Sequence, residues 1–496
     1  MKKLITSEQC RAADQYTIQQ QGINSLRLME QAAEAFVSRF CTRFPDRNTQ
    51  IAICCGPGNN GGDGMAIARL LLQQHYQKLK VYDLSFNKQG SVDKEANKKR
   101  LVREYGIVEE HDEFAKLNFR ADIIIDAIFG SGFNKDLQGP YLAAVEQINL
   151  ANAFVVAVDV PSGFKCEGEL SPSSYQGVRA DWVLCFQRPK INFFFPESGI
   201  ALKDFEVLAI GLDEAFIQSQ ESNWLLIDED WVRDTLQPRK RFSHKGTYGH
   251  GLLLAGNTHT MGAALLASSA AIASGIGLLT TSVPEQGLTA LNVGCAEAMF
   301  LSREEVLMTD QHKFNAMAIG PGLGLGQQEA ALLKWVLGKS APCIVDADAL
   351  FLLSQNKSWL ENLTADSILC PHVKEFDRLF GLHTTWHQRL NTATQQAQTL
   401  QIIIILKNQY TFVCLPDGTI AVNTSGNPAM AQGGMGDVLT GLLLSLLAQG
   451  YTAAEAAMLA VFVHGSAGDS LAKQHFVVSA SKLAHQLSIT LKKLFK

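Results

Sequence analysis

The stretch QIAICCGPGNNGGDGM, residues 50–65, joins a short apolar run to a loop that contains five glycines. The run Gln50–Cys55 is typical of a buried strand, and a helix is predicted to begin near Met65. Glycines let the backbone turn sharply and approach a ligand closely, while the N–H groups at a helix start stabilise phosphate charge. This stretch therefore predicts an α/β sheet with a site for pyrophosphate at a strand end.

Further apolar runs of strand length follow in the first half of the chain. They are Leu79–Phe86, Ala121–Phe129, Phe154–Val160, Trp182–Phe186 and Val207–Ile210. A parallel sheet with helices on both sides requires such runs, which are apolar on both faces and separated by helix-length segments. The segment Ser7–Cys41 has helical spacing and is expected to pack beside that sheet. We predict a Rossmann-like, three-layer α/β domain over residues 1–220.

The polar segment Asp213–Asn223 ends this alternation, and a second α/β domain is predicted over residues 221–496. Its strand candidates are Gly251–Ala255, Met317–Ile319, Cys343–Val345, Ile368–Cys370, Ile402–Leu406 and Thr411–Leu415. Its long helix candidates, rich in Ala and Leu and free of Pro, are Met430–Leu447, Ala453–Leu471 and Ser479–Leu494. The two halves are thus expected to be separate domains of one fold class.

The composition is that of a globular protein, because 47% of the 496 residues are hydrophobic and 18% are charged. The net charge of -5 lacks the basic excess of a nucleic-acid binder, so no nucleic-acid partner is expected. The ten cysteines include no C-x-x-C spacing, and the N-terminus lacks the apolar stretch of a signal peptide. The uncharged segment Leu252–Val283 is long enough to span a bilayer, but Asn257–Thr260 interrupts it and favours a buried helix. We expect a cytoplasmic homo-oligomer without a membrane partner.

Oxygen-bearing side chains follow three strands of the first half. In open α/β sheets ligands lie beyond the carboxyl ends of the strands, so Asn60, Asp126 and Ser162 are predicted to converge there as ligands of a cation. The glycine spacing does not match the Walker pattern. Taken alone, the loop is also compatible with a tight turn.

A second glycine-rich loop, Gly433–Gly441, lies just before a Leu-rich helix. Its glycines expose N–H groups that stabilise phosphate charge, and Asp437 is placed to accept a proton from a substrate hydroxyl. The alternative is a structural loop in which Asp437 is solvated or caps the helix. The arrangement resembles the G-A-G-D element of the ribokinase-like superfamily, in which this Asp activates the acceptor hydroxyl.

Both halves resemble one family, the bifunctional NAD(P)H-hydrate repair enzymes. Over residues 1–215, the likeness to the family's epimerase domain rests on Leu28–Glu30, Gly58–Gly64 and Pro161–Gly163. Over residues 235–495, the likeness to its ribokinase-like dehydratase domain rests on Met261–Ala264, Gly320–Gly324, Asp346–Leu350, Cys370–His372 and Gly433–Asp437. The departures are Cys185 where Thr is common, Lys374 where Gly is expected, and Asn408 in place of a Gly after Lys407.

The resemblance implies repair of hydrated NADH and NADPH. The epimerase interconverts the R and S forms, and the dehydratase uses ADP to phosphorylate the C6 hydroxyl of the S form before phosphate is eliminated, giving NAD(P)H, AMP and phosphate. ATP is the alternative to ADP, and Mg²⁺ is expected with the nucleotide. Potassium is expected on Asn60, Asp126 and Ser162. Asp437 is the expected catalytic base of the dehydratase, and Asp159 the expected catalytic residue of the epimerase.

The resemblance also implies the binding residues. Those expected to hold the hydrated dinucleotide in the epimerase are Asn59, Asn60, Gly61, Gly62, Asp63, Gly130, Ser131, Gly132, Phe133, Asn134, Lys135, Asp136 and Asp159. Those expected to hold it in the dehydratase are Ala263, Gly322, His372 and Asp437. Those expected to hold the adenine nucleotide are Lys407, Asn408, Gln409, Tyr410, Thr411 and Gly436.

Two other functions share parts of these patterns. A ribokinase-like small-molecule kinase fused to a dinucleotide-binding domain has the same loop at Gly433–Asp437. A regulatory protein that senses nucleotides without catalysis needs only the first loop, but the intact Asn60, Asp126, Asp159 and Asp437 argue against it.

Overall fold

In the computed structural model the described residues are 1–86, 88–110, 120–133 and 135–495. They form two compact units. The N-terminal unit comprises Lys3–Ser222 together with Thr385–His387, and the C-terminal unit comprises Met1–Lys2, Asn223–Thr384 and the chain from Gln388 onward.

The N-terminal unit is built on a parallel sheet, as predicted. After a two-residue strand β1 (Lys2–Lys3), which lies at the edge of the other sheet, the strands are β2 (Ile51–Cys55), β3 (Leu79–Asp83), β4 (Glu109–Glu110), β5 (Ile123–Ala127), β6 (Phe154–Val158), β7 (Trp182–Phe186) and β8 (Phe205–Leu208). Their order is β4-β3-β2-β5-β6-β7-β8, and every pair is parallel. Because each residue of β2 and β5 is buried, the central strands are covered on both faces.

The helices of this unit alternate with the strands. They are α1 (Ser7–Gln21), α2 (Ser25–Arg43), α3 (Asn59–Gln73), α4 (Val92–Tyr105), α5 (Pro140–Leu150) and α6 (Glu214–Ser219). The single helical segment expected over Ser7–Cys41 is two helices, because Gly22 ends α1 at a φ of 62° that L residues rarely adopt. Thr6 and Gln9 cap the start of α1 reciprocally.

The C-terminal unit contains a larger, mixed sheet. Its strands are β9 (Trp224–Leu226), β10 (His250–Leu254), β11 (Leu278–Ser282), β12 (Met299–Leu301), β13 (Ala316–Ile319), β14 (Cys343–Val345), β15 (Ile368–Leu369), β16 (Ile403–Leu406), β17 (Thr411–Cys414) and β18 (Ile420–Asn423). With β1 at one edge, the order is β1-β9-β18-β17-β16-β15-β14-β13-β10-β11-β12. The β16–β17 and β17–β18 pairs are antiparallel.

The helices of the C-terminal unit are α7 (Glu229–Thr235), α8 (Met261–Ala273), α9 (Leu288–Gly294), α10 (Arg303–Met308), α11 (Gln327–Leu337), α12 (Ala347–Gln355), α13 (Val373–Phe380), α14 (Trp386–Leu400), α15 (Met435–Ala448), α16 (Ala453–Ala472) and α17 (Ala480–Leu494). The helices α8 and α15 pack closely, because a Cβ at Gly441 would clash with the carbonyl oxygen of Ala267. The uncharged segment Leu252–Val283 forms β10, α8 and β11. Within the described part of the chain, no helix is both long and apolar enough to span a bilayer.

Candidate active sites

The glycine-rich loop of the N-terminal unit connects β2 to α3. A Cβ at Gly56 would clash with the Ile128 carbonyl oxygen, and one at Gly61 would clash with the carbonyl oxygen of Gly56. Gly58, in contrast, has open space around it and precedes α3 without any side-chain cap. The first N–H groups of α3 are therefore left for a ligand, while Gly56 and Gly61 are required by packing.

Asp126 and Ser162 form a buried pair where β5 and β6 end. The Ser162 hydroxyl donates to Asp126 Oδ1 at 2.6 Å, and the Ser162 N–H donates to Oδ2 at 2.7 Å. The N–H of Phe129 donates to the same hydroxyl at 2.8 Å. Burial raises the pKa of Asp126 to about 6, although the hydrogen bonds from Ser162 and Ile128 oppose the shift. The pair thus joins two strand ends around one carboxylate.

Asn60 lies against Gly130, in the loop that follows β5, and its amide nitrogen is unsatisfied. Its side chain is buried, its Nδ2 atom has no hydrogen-bond partner, and a Cβ at Gly130 would lie 3.4 Å from its Oδ1 atom. No cluster of three or more His, Cys, Asp or Glu suited to a metal occurs in the part of the chain described. A site with one carboxylate, one hydroxyl and one amide suits a singly charged cation better than Ca²⁺ or Zn²⁺.

A cavity of about 420 Å³ opens beside these groups. Of the residues expected to hold the hydrated dinucleotide, those that line it are Asn59, Asn60, Asp63, Gly130, Ser131, Gly132, Phe133 and Asp159. The remaining ones do not meet there. Gly61 and Gly62 pack inside the unit, Lys135 and Asp136 line a separate cavity of about 100 Å³, and Asn134 lies outside the described residues.

Asp159 is held in a strained and charged environment. It is a non-glycine residue with a φ of 65°, and its Oδ1 atom accepts from Lys190 Nζ at 2.9 Å and from the Phe186 N–H at 3.1 Å. Burial alone would lower the pKa of Lys190, but Asp159 and the surrounding cysteines raise it well above its ordinary value. Cys185, the departure from the family's Thr, lies 3.7 Å from Asp159.

Several residues that line the cavity were not predicted from the sequence. They include Cys10, Arg11 and Asp14 on α1, together with Arg188 and Lys190 after β7. Lys190 follows an apolar strand and a proline, so its position past a strand end was a signal that was available. The inward face of α1 gave no such signal, because the spacing of residues along a helix does not show which cavity their side chains line.

In the C-terminal unit, Asp437 lies in the first turn of α15. Gly434 precedes this helix with a φ of 89° and no side-chain cap, and Asp437 forms no hydrogen bond or ion pair within the described chain. The helix-cap alternative for Asp437 is therefore wrong. Burial, followed by the charge of Asp346, raises the pKa of Asp437 to about 6, while Lys407 lowers it.

Asp346 and Lys407 form a second buried pair beside this helix. Lys407 Nζ lies 2.7 Å from Asp346 Oδ1, and the hydroxyl of Thr440 donates to Asp346 Oδ2 at 2.7 Å. A Cβ at Gly436 would lie 3.5 Å from Lys407 Nζ, so the ammonium lies against the glycine loop. Burial lowers the pKa of Lys407, but Asp346, with smaller contributions from Cys370 and Glu375, raises it overall. Asp346 was not among the predicted site residues, although it directly follows β14.

A cavity of about 610 Å³ adjoins Lys407. It is lined by all six residues expected to hold the nucleotide, namely Lys407, Asn408, Gln409, Tyr410, Thr411 and Gly436. Unpredicted lining comes from Asn423–Asn427 and from His464, which is hydrogen bonded to the Met435 carbonyl oxygen and whose pKa is lowered by burial to about 4. Neither Lys374 nor Asn408 has a positive φ, so these departures from the family's glycines do not strain the backbone.

The residues expected to bind hydrated dinucleotide in this unit lie outside that cavity. Gly322 and Ala263 are neighbours, because a Cβ at Gly322 would lie 2.9 Å from Ala263 Cβ. The Gly322 carbonyl accepts from Asn257 Nδ2 at 3.1 Å and Thr260 Oγ1 at 2.7 Å, which fixes the two loops together. His372 caps α13 through Nδ1, and its backbone pairs with that of Lys407.

Two protein families each match one part of the chain, and curated relatives match nearly the whole of it. Residues 25–192 match the family described as YjeF-related protein N-terminus, and residues 251–492 match the family described as NAD(P)H-hydrate dehydratase. The bifunctional NAD(P)H-hydrate repair enzyme of Moorella thermoacetica is 33% identical over 496 residues, covering 95% of this chain and 93% of that protein. The enzyme of the same name from Coxiella burnetii is 31% identical, covering 96% of each chain.

Among solved structures, a ribokinase-like superfamily protein from Enterococcus faecalis matches with a TM-score of 0.51 at 30% identity, covering 56% of this chain and 98% of that chain. A hypothetical protein from Streptococcus mutans matches with the same TM-score at 28% identity. These matches confirm the predicted ribokinase-like fold.

Proposed function

The chain belongs to the bifunctional NAD(P)H-hydrate repair enzymes, and we propose that it divides the repair between an epimerase in residues 1–220 and an ADP-dependent dehydratase in residues 221–496. The likeness to bifunctional NAD(P)H-hydrate repair enzymes extends over nearly the whole chain, which favours repair over the fused small-molecule kinase. The observation that carries the dehydratase is Asp437, a carboxyl without a partner in the described chain, next to the lysine and glycines that line the nucleotide cavity.

In the dehydratase, Asp437 accepts the proton of the C6 hydroxyl as that oxygen attacks the terminal phosphorus of ADP. The bond between this phosphorus and the bridging oxygen breaks, and AMP leaves. The ring nitrogen then expels phosphate from C6, and loss of a proton from C5 restores the dihydronicotinamide. Lys407 and the N–H groups at the start of α15 stabilise the charge on the transferred phosphoryl group. Mg²⁺ bound to the nucleotide phosphates supplies further neutralisation, and ATP is the alternative donor.

Dehydration is expected to slow as the pH falls below about 6, because a general base must be ionised and the pKa of Asp437 is raised to that value. The charge of Asp346 contributes to that rise. Asp346→Asn should therefore move the acid limb of kcat to lower pH, besides releasing Lys407. Initial rates with the S form between pH 5 and 8 give the acid limb of the wild type and that of Asp346→Asn. The exposed Asp234→Asn serves as control, and an unmoved limb in Asp346→Asn would contradict the proposal.

In the epimerase, the cavity between the glycine loop and Asp159 holds the nicotinamide end of the hydrated dinucleotide. Asp159 is held close to Lys190, with 2.9 Å between Lys190 Nζ and Asp159 Oδ1. We propose potassium on Asn60, Asp126 and Ser162, supported by the single buried carboxylate of Asp126, its Ser162 hydroxyl and the Asn60 amide oxygen near Gly130. Such an ion would supply charge balance and would fix the two strand ends against each other.

Replacing potassium by sodium or choline is expected to slow epimerisation by roughly tenfold, equivalent to about 1.4 kcal/mol of lost positioning. Dehydration of the pure S form serves as the internal control. Potassium should also raise the temperature at which epimerase activity is lost, because a ligand that binds only the folded state stabilises it. If neither rate nor stability responds to the ion, the ligand assignment is wrong.

We further propose that the enzyme acts in the cytoplasm as a homo-oligomer and takes hydrated NADH and NADPH, with ADP, as its partners. All ten cysteines are free thiols, which suits a reducing compartment.

A further inference from the structure

Helix α1 contributes a carboxyl group to the epimerase cavity that the predicted site does not include. Asp14 lines the same cavity as Asp159 and Lys190, together with Cys10 and Arg11 of its own helix. It is half-buried, and within the described chain it forms no hydrogen bond or ion pair. A carboxyl placed in a cleft without a structural partner contributes little to stability, so its position there calls for a chemical role.

The two carboxyl groups of this cavity lie in different environments. Asp159 is paired with the buried ammonium of Lys190 and accepts a hydrogen bond from the Phe186 N–H. Asp14 has neither. Burial raises the pKa of Asp14 to about 6, the charge of Asp159 adds to the rise, and Lys190 opposes it. Carboxyl groups whose environments separate their proton affinities are suited to serve as an acid and a base in one reaction.

Other titratable and charged groups face the same space. They are Cys10 and Arg11 on α1, Asp63 on α3, and Arg188 and Lys190 after β7. Burial raises the pKa of Asp63, and the charges of Asp159 and Asp14 raise it further, so Asp14 is close enough to influence a side chain of α3. The unpaired carboxyl therefore shares the cavity with residues of the glycine loop.

We propose that Asp14 is a second catalytic residue of the epimerase, acting as the proton donor opposite Asp159. This inference rests on the proposed epimerase function of the N-terminal unit. The C6 carbon of the hydrated ring bears both the hydroxyl and the ring nitrogen N1, so its configuration changes only if one of those bonds breaks and forms again on the other face.

The step balances with the two carboxyl groups alone. Asp159 takes the proton of the C6 hydroxyl, C6 becomes an aldehyde carbon, and the C6–N1 electron pair moves to N1, which takes a proton from the Asp14 carboxylic acid. Rotation about the C5–C6 bond turns the aldehyde over. N1 then attacks the opposite face, returning its proton to Asp14 while the new hydroxyl takes one from Asp159. No oxidant, reductant or nucleotide is consumed.

The test uses the full-length chain with chemically hydrated NADH, a mixture of R and S forms, and excess ADP. The wild type should restore all of the dihydronicotinamide absorbance. Asp14→Asn should restore the S fraction at the wild-type rate, because the dehydratase is untouched, and then slow by on the order of a hundredfold or more at the epimerisation step. The wild-type epimerisation rate should fall as the pH rises above about 6, and Asp14→Asn should lose that limb.

Two further variants make the test decisive. Glu8→Gln, on the exposed face of the same helix, should leave both phases unchanged. Asp14→Glu keeps a carboxyl group and should recover part of the rate that Asn loses. The inference is overturned if Asp14→Asn epimerises within about twofold of the wild type with the same pH limb, or if Glu is no better than Asn. A wild-type chain that restores only the S fraction would instead refute the proposed epimerase itself.

Discussion

Asp437→Asn is expected to reduce kcat for dehydration of the S form by on the order of a hundred- to ten-thousandfold, roughly 3 to 5 kcal/mol of transition-state stabilisation. Asn keeps the shape of the side chain but cannot accept the proton of the C6 hydroxyl. ADP affinity should change far less, because Lys407 and the backbone N–H groups at the start of α15 are the groups proposed to hold the phosphates. The variant should also fold normally, since Asp437 neither caps α15 nor pairs with a described residue.

Three measurements on this variant separate chemistry from structure: the dehydration rate, ADP affinity and melting temperature. Asp234→Asn, an exposed aspartate of the same unit, is the matched control. A folded Asp437→Asn protein that dehydrates at a near-normal rate would remove Asp437 from the mechanism.

Asp126→Asn is expected to slow epimerisation by on the order of a hundredfold, the effect of a small misplacement of reacting groups. Both oxygens of Asp126 accept from Ser162, so one amide NH₂ must replace an acceptor and face a donor. The lost charge also weakens the proposed potassium site. Dehydration of the S form should be unchanged, because Asp126 belongs to the N-terminal unit and Asp437 to the C-terminal unit.

The control for Asp126→Asn is a substitution at Asp122, next to the same strand. Asp122 precedes β5 at its amino end, is exposed, and accepts from the Gln50 N–H. Asp122→Asn should leave both activities near normal. If the two variants slow epimerisation equally, the carboxyl end of β5 has no special role.

The strands with strong apolar runs were predictable because burial on both faces leaves a continuous signal. The strands β2 and β7 were predicted to within a residue at either end. The strands β4, β9, β11, β12 and β18 were not predicted. β4 is two glutamates, and β11 lies inside an uncharged segment in which helix and strand share the same composition. Pairing with neighbouring strands, a long-range property, determines their structure.

The candidate sites divide in the same way. Loops carried by glycines and strand ends, such as Gly58–Asn60 and Gly433–Asp437, were visible because their geometry is encoded locally. Asp14 acquires its role only when distant segments meet, so no local pattern revealed it, whereas Lys190 and Asp346 lie past strand ends, where a signal was present. Of the expected run Gly130–Asp136, Gly130–Phe133 line the main cavity, whereas Lys135 and Asp136 line the smaller one.

The central claim is that one chain repairs both forms of the hydrated cofactor. The most direct measurement is the recovery of dihydronicotinamide absorbance when the full-length protein meets chemically hydrated NADH with and without ADP. With ADP, we expect complete recovery of both the R and S fractions together with release of AMP and phosphate. Without a nucleotide, we expect no recovery. Consumption of ADP without recovery of absorbance, or recovery that stops at the S fraction, would contradict it.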